Sequence, residues 1–65
     1  MTKELLKEII YKEDKPKNWR EGQFVFNTVD RLFGIAREVQ FVDGVDCFYR
    51  DDRIDDFLNA CCKRL

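Results

Sequence analysis

The segment between Trp19 and Gly34 carries its large apolar residues at the spacing of a single helix face. On a helical wheel, seven residues fall within an arc of about 140°: Trp19, Gly22, Val25, Phe26, Val29, Leu32 and Phe33. Asn18, followed three residues later by Glu21, resembles an N-cap with a reciprocal acidic partner. We therefore predict a helix that starts at Trp19 and ends before Gly34, which suits a left-handed C-cap. Gly22 lies on the core-facing side, which predicts that another element passes close to its backbone.

Two further segments have helical spacing. In the first, from Thr2, which can cap the helix, to about Asp14, the apolar stripe consists of Leu5, Leu6, Ile9 and Ile10. The last segment starts at Asp51 or Asp52 as N-cap, with acidic residues in its first turn and basic residues in its last, the order that a helix dipole favours. Its stripe consists of Ile54, Phe57, Leu58, Cys61 and Leu65. We predict a helix in each segment.

The middle of the chain is less regular. Ile35, Val39 and Val42 fall on one side of one or two helical turns, and a strand over residues 39–42 is the alternative. No second alternating run follows, so residues 43–52 are predicted to form a loop pinned by Phe48 and Tyr49. The sequence therefore predicts an all-α fold, a small single-core bundle of three longer helices and one short helix, with residues 1–65 as one domain.

Composition argues against several classes of function. Charged residues make up 38% of the chain but nearly cancel, at a net charge of −1, so no long-range field attracts nucleic acid or anionic lipid. No apolar run is long enough for a signal peptide or a transmembrane helix. We therefore expect a cytoplasmic chain without membrane contact.

The chain is poorly equipped for catalysis or metal binding. It contains no His and no Ser, and Cys47, Cys61 and Cys62 are best explained as reduced thiols packed like apolar groups. Three Cys without His or a C-x-x-C pair offer no zinc site. The Asp residues between Asp43 and Asp56 lack EF-hand spacing, and most of them are explained by helix capping. We expect no enzyme activity, no metal and no cofactor.

One large apolar residue of the second helix points away from the core side. Phe24 lies about 140° from Trp19, on the face that also carries polar side chains. Either a loop such as the Phe48–Tyr49 turn covers this ring, or it stays exposed within a polar rim as an interface anchor. Tyr11 also lies opposite the stripe of its own helix. The candidate interaction surface consists of Arg20, Gln23, Phe24, Asn27, Arg31 and Tyr11.

Two stretches, WREGQFVFN (residues 19–27) and FYRDDRIDDFL (residues 48–58), resemble a group of short uncharacterised bacterial proteins with W-R-x-G-Q-x-x-F-N and F-Y-x-D-x-R-I-x-x-F-L motifs. The likeness spans about two thirds of the chain. The group has Pro before the Phe-Tyr pair, where this chain has Cys47. The resemblance implies a compact helical fold and no particular activity. It also implies that Arg20, Gln23 and Asn27 act together, with hydrogen bonding to the loop between Phe48 and Asp52 as their structural role.

These observations favour a small non-catalytic protein-interaction module that contacts an unknown protein partner or forms a homodimer. The alternative is a small nucleic-acid-associated regulator, with a helix-turn-helix across Gly34. Its second helix would offer only Arg37 and Gln40 against Glu38, and the sequence pI is about 5.3. Nucleic-acid binding is therefore the less favoured hypothesis.

Overall fold

The computed structural model describes all 65 residues and is 68% helical without strands. Its helices are α1 (Lys3–Tyr11), α2 (Glu21–Phe33), α3 (Ala36–Glu38) and α4 (Ile54–Arg64). A π-helical turn, Val39–Asp43, extends α3, and a 3-10 turn, Asp51–Arg53, leads into α4. The predicted all-α bundle is confirmed, and the alternative strand over residues 39–42 is wrong. No helix has both the length and the apolar character needed to cross a membrane.

The helix ends follow local hydrogen bonding. Thr2 caps α1 as predicted, because its hydroxyl accepts a hydrogen bond from the Leu5 amide at 3.2 Å. The start of α2 was predicted too early: the Trp19 amide donates to the Pro16 carbonyl in a separate turn at 3.2 Å, and α2 begins at Glu21. At the other end of α2, Gly34 adopts the predicted left-handed conformation with φ 70°.

The core is built around α2, against which α1, α3 and the 3-10 turn pack. Its buried apolar residues are Leu6, Ile10, Phe24, Val25, Phe26, Val29, Ala36, Val39, Cys47, Ile54, Phe57, Leu58 and Cys61. Most residues of the predicted apolar stripes contribute to this core. Leu5, Leu32 and Leu65 are exceptions, since each is exposed at the margin of its helix. α2 is buried on more than one face, because Phe24 and Thr28 are buried as well as Val25 and Val29.

The π-helical turn changes which residues of the third segment face inward. Val39 is fully buried, as predicted, but Val42 is 71% exposed and Phe41 is 78% exposed. The Gly44 amide bonds back to the Val39 carbonyl, which closes a turn wider than an α-helical one. This widening rotates Val42 off the side on which Val39 lies. The prediction that Val42 belongs to the core stripe is therefore wrong.

Candidate functional site

Phe24 does not form an exposed anchor. It is 2% exposed, and its ring centroid lies 6.0 Å from that of Tyr11 at the end of α1. The chain between α1 and α2 folds back along this face of α2, and the ring belongs to the buried apolar core. The exposed-anchor hypothesis is therefore wrong. The alternative, burial under a loop, is right about burial but names the wrong segment, since Phe48 packs on Phe26 at 5.6 Å instead.

This arrangement leaves a small cavity of about 190 Å³ above Phe24, which we call the Trp19 pocket. It is lined by Asp14, Pro16, Trp19, Phe24, Asn27, Thr28 and Arg31. The segment before α2 supplies half-buried Pro16 and Trp19, and α2 supplies the rest of the wall. Three residues of the predicted interaction surface, Phe24, Asn27 and Arg31, therefore line the pocket.

The polar groups of the Trp19 pocket differ in how far the fold satisfies them. Arg31 forms an ion pair with Glu13, so its charge is already matched. Asp14 has no ion pair. Neither the Thr28 hydroxyl nor the Asn27 amide makes a hydrogen bond within the chain, and neither is sealed from solvent, since Arg53 Nε is the one buried side-chain nitrogen or oxygen without a partner. The pocket therefore presents one unmatched negative charge and two free polar groups.

Arg20 lies at the N-terminus of α2 and serves a different purpose. Its guanidinium donates a hydrogen bond to the Tyr49 carbonyl at 2.8 Å. The expectation that it bonds to the loop between Phe48 and Asp52 is confirmed. Gln23 and Asn27 make no hydrogen bond to that loop, so the three side chains do not act on it as a unit.

Gly22 permits the same loop to approach α2. A Cβ atom at this position would lie 2.0 Å from the Cys47 carbonyl oxygen, so the predicted close passage of another element is confirmed. The Gly22 amide donates to the Asp51 carboxylate at 2.9 Å, and the Cys47 thiol donates to the Gly22 carbonyl at 3.4 Å. Asp51 was predicted to cap the last helix. It caps α2 instead, and Arg53 precedes α4 without a side-chain cap.

Tyr11 packs on Phe24 but does not line the Trp19 pocket. Partial burial raises the pKa of Tyr11 to about 12, and the charge of Glu21 acts in the same direction. Its ring borders a second cavity of about 340 Å³, whose other lining residues are Lys7, Glu21, Asp51, Asp52, Ile54 and Asp55. No three carboxylate or thiol groups of the chain are placed to hold a metal ion.

The thiols are free, and two of them are inaccessible. Cys47 and Cys61 are fully buried. Burial raises the pKa of each thiol to about 12, and the Asp46 charge adds to this effect at Cys47. A nucleophilic cysteine needs the opposite shift. Cys62 is half-buried beside them in α4.

The largest concavity, about 610 Å³, is an open groove along α4. Its lining residues are Asp43, Val45, Arg53, Asp56, Asn59, Ala60, Lys63 and Arg64. Much of its charge is already matched, since Arg64 binds Asp43 through two hydrogen bonds of 3.0 Å. This bond holds the pKa of Asp43 below its usual range. Asn59 and Lys63 of the groove make no side-chain hydrogen bond or ion pair, and Arg53 Nε is the one buried side-chain nitrogen or oxygen without a hydrogen-bond partner.

The predicted interaction surface omitted four lining residues of the Trp19 pocket, namely Asp14, Pro16, Trp19 and Thr28. Trp19 was predicted to face the core as part of the helix, and it does pack against the core although it precedes α2. The Pro16–Trp19 turn removes it from the wheel on which it was placed. Pro at position 16 was the available indication that this segment leaves the helix axis.

The chain matches no protein-family model, and no curated protein and no solved structure is significantly similar to it. Its function has to be inferred from the side chains themselves.

Proposed function

We propose that this chain is a small non-catalytic protein-interaction module that receives one side chain of a partner protein in the Trp19 pocket. The observation that carries the proposal is the size and lining of that pocket. A volume of about 190 Å³ is below the 300–1,000 Å³ or so of typical small-molecule sites. It is large enough for one side chain, with an indole at the wall and polar groups around it.

The walls of the Trp19 pocket are suited to contact a protein. Trp and Arg are enriched among the residues that dominate interface energies, and such anchors sit in preformed pockets. Phe24 and Thr28 belong to the buried part of α2. A partner side chain would therefore enter a site that the fold already holds in place, which lowers the entropic cost of binding.

Two features support the non-catalytic part of the proposal. The sequence has no His, the commonest general base near neutral pH. The pKa of both buried thiols, Cys47 and Cys61, is raised to about 12, which disfavours the thiolate form. The three free cysteines also fit a reducing compartment, and we propose that the module acts in the cytoplasm.

The proposal is tested by titrating the ¹⁵N-labelled chain with capped single amino acids, N-acetyl and N-methylamide, that represent basic, acidic, amide, aromatic and aliphatic side chains. At least one class should give saturable shifts confined to the amides around Trp19 and Asn27. Asn27→Phe, which places a ring at the pocket rim, should abolish them. Gln23→Phe, one turn earlier on α2 and outside the pocket, is the matched control and should leave them unchanged.

Absence of saturable shifts with every class would overturn the proposal. Sedimentation velocity on the same variants identifies the case in which the partner is a second copy of the chain. A concentration-dependent dimer that Asn27→Phe abolishes and Gln23→Phe preserves supports the proposal. A gel shift with nucleic acid at low salt that both substitutions leave intact would instead favour the nucleic-acid-associated regulator.

A further inference from the structure

We infer that the Trp19 pocket selects a cation carried on an alkyl stem, such as the ammonium group of lysine or the guanidinium group of arginine. This inference rests on the proposed function and names the chemistry of the group that the pocket receives. It is carried by three features of the lining: its net charge, its aromatic wall and its unbonded polar groups.

The charge of the lining is negative once ion pairs are counted. The ion pair with Glu13 neutralises Arg31, whereas the Asp14 carboxylate has no cation within ion-pair distance. Lys15 and Lys17 flank Pro16 in the sequence, but neither lines the pocket. A cation that enters the pocket therefore meets one free carboxylate.

The apolar walls suit the rest of such a group. Trp is the side chain whose face attracts a cation most strongly, by about 0.5–1 kcal/mol at exposed sites and more when water is excluded. Pro16 and Phe24 provide apolar surface beside the indole. Lysine and arginine both combine an apolar stem with a polar tip, so they match a pocket that has both kinds of lining.

The third feature is the set of hydrogen-bond acceptors in the lining. Thr28 and Asn27 both line the pocket, and neither side chain makes a hydrogen bond within the chain. The Thr28 hydroxyl is not sealed from the pocket, since Arg53 Nε is the one buried side-chain nitrogen or oxygen without a hydrogen-bond partner. Lysine brings three N–H donors and arginine five. The Thr28 hydroxyl and the Asn27 amide oxygen are acceptors for these donors.

Other ligand classes fit this lining less well. An anion would face Asp14 and would find only a guanidinium that Glu13 already occupies. An aliphatic side chain would remove water from Asp14 and Thr28 without replacing its hydrogen bonds. A cation on an alkyl stem is the class that satisfies the carboxylate, the hydroxyl and the apolar wall together.

The test measures binding of capped lysine and capped arginine to the full chain by Trp fluorescence and ¹⁵N shifts. Trp19 is the only Trp in the sequence, so its emission reports this pocket alone. The matched uncharged ligands are capped norleucine and capped citrulline. We expect the charged ligand of each pair to bind roughly tenfold or more tightly, a factor that corresponds to 1.4 kcal/mol.

Two variants locate the effect. Asp14→Asn removes the free carboxylate at an exposed position and should weaken binding of the charged ligands about two- to fivefold, without weakening that of the uncharged ones. Thr28→Val keeps the shape of a buried side chain but removes the hydroxyl. This substitution should also weaken the binding of both charged ligands. Asp30→Asn is the matched control, because Asp30 belongs to α2 but does not line the pocket, and it should bind like the native chain.

The outcomes separate this inference from the proposed function. Binding of norleucine or of an acidic ligand as tight as that of lysine, with no effect of Asp14→Asn, overturns the cation inference and leaves the protein-interaction proposal intact. Absence of binding by every capped amino acid overturns both. Agmatine and cadaverine test the source of the cation. If either binds more tightly than the capped amino acids, the cation inference is supported and a free amine replaces the partner protein as ligand.

Discussion

The Trp19 pocket and the π-helical turn are both surfaces that the fold leaves open, but they are built from opposite parts. In the pocket, the aromatic floor is buried and the polar groups other than Arg31 are unbonded. In the turn, Phe41 and Val42 are exposed, while the polar side chains are bonded: Arg64 binds Glu38 and Asp43, and Gln40 binds Asp46 at 2.7 Å. The unmatched polar groups of the pocket therefore indicate the chemistry of its ligand, whereas the turn has no such groups.

This difference determines for which region the chemical class of a ligand can be inferred from the structure. An unbonded hydroxyl in a concave site limits the ligand to groups that can supply a hydrogen bond. An exposed pair of apolar side chains on a convex turn gains from contact with any apolar surface. The two regions also differ in how they are held. Packing on α2 holds the pocket, whereas the turn is anchored by buried Val39 and by the ion pairs of Arg64, of which the ion pairs contribute little to stability.

The largest expected effect concerns Phe24. Phe24→Ala removes a ring that is 2% exposed and should lower the free energy of unfolding by roughly 3–5 kcal/mol. Urea unfolding monitored by circular dichroism measures the change. Phe24→Leu is the control, because it retains much of the buried volume and should lose less than half as much. A loss from Phe24→Ala within about 0.5 kcal/mol, as at a surface position, would show that this side of α2 is open.

Gly22 gives the next largest effect and concerns the loop that docks on the first turn of α2. Gly22→Ala places a methyl group 2.0 Å from the Cys47 carbonyl oxygen, so the loop has to move and we expect a loss of about 2–3 kcal/mol. Gly44→Asn is the matched control in the turn. Gly44 has a φ of 70° but open space around it, and Asn tolerates that conformation. It should cost less than about 1 kcal/mol. Equal losses at both glycines would contradict this distinction.

Much of the fold was accessible from the sequence because amphipathic spacing alone determines which helix faces meet. The stripes of α1, α2 and α4, the caps Thr2 and Gly34, and the close approach at Gly22 follow from local chemistry. The pocket did not follow, because its wall depends on where the segment after α1 turns. Phe24 was placed off the core face, although its ring belongs to the buried core, because a wheel shows only direction. A helical wheel gives no information about which segment of the chain covers a given face of the helix.

The π-helical turn was inaccessible for a related reason. A wheel assumes a constant angle per residue, and one widened turn changes the direction of every side chain that follows it. Val42 was therefore placed beside Val39, although the structure separates them. The role of Asp51 also escaped local reasoning. An Asp before a helix suggests a cap for that helix, whereas this carboxylate caps α2, which is distant in sequence.

The buried thiols predict a smaller, pH-dependent effect that compares the start of α2 with the π-helical turn. Cys47 bonds to Gly22 in the first turn of α2, and the raised pKa of Cys61 in α4 includes, after burial and Cys62, the charge of Asp43 in the turn. Their pKa is raised from 9.0 to about 12 by burial, so the unfolded chain loses these protons first as pH rises. The resulting stability is complete below pH 9 and is lost as pH rises towards 12.

We expect a loss of about 1.4 kcal/mol for each thiol by pH 10, measured by urea unfolding at pH 7.5 and pH 10. Cys47→Ala and Cys61→Ala should each reduce the pH dependence, whatever their effect at neutral pH. The change at Tyr11 adds little by pH 10, since its usual pKa is 10.0. A stability that is constant between the two pH values would show that the thiols are hydrated.

The smallest expected effect concerns Phe41 and decides whether the turn is a free surface. Phe41→Ala removes a ring that is 78% exposed, so the free energy of unfolding should change by no more than about 0.5 kcal/mol, the opposite of the result at Phe24. The measurement is urea unfolding at two protein concentrations a hundredfold apart. If the ring is free, both concentrations give the same small change. A loss of 2 kcal/mol or more that grows with concentration would mean that Phe41 is buried between copies of the chain. The turn would then be an apolar interface between copies of the chain. The pocket and the turn would both bind a partner, and they would differ only in which partner they bind.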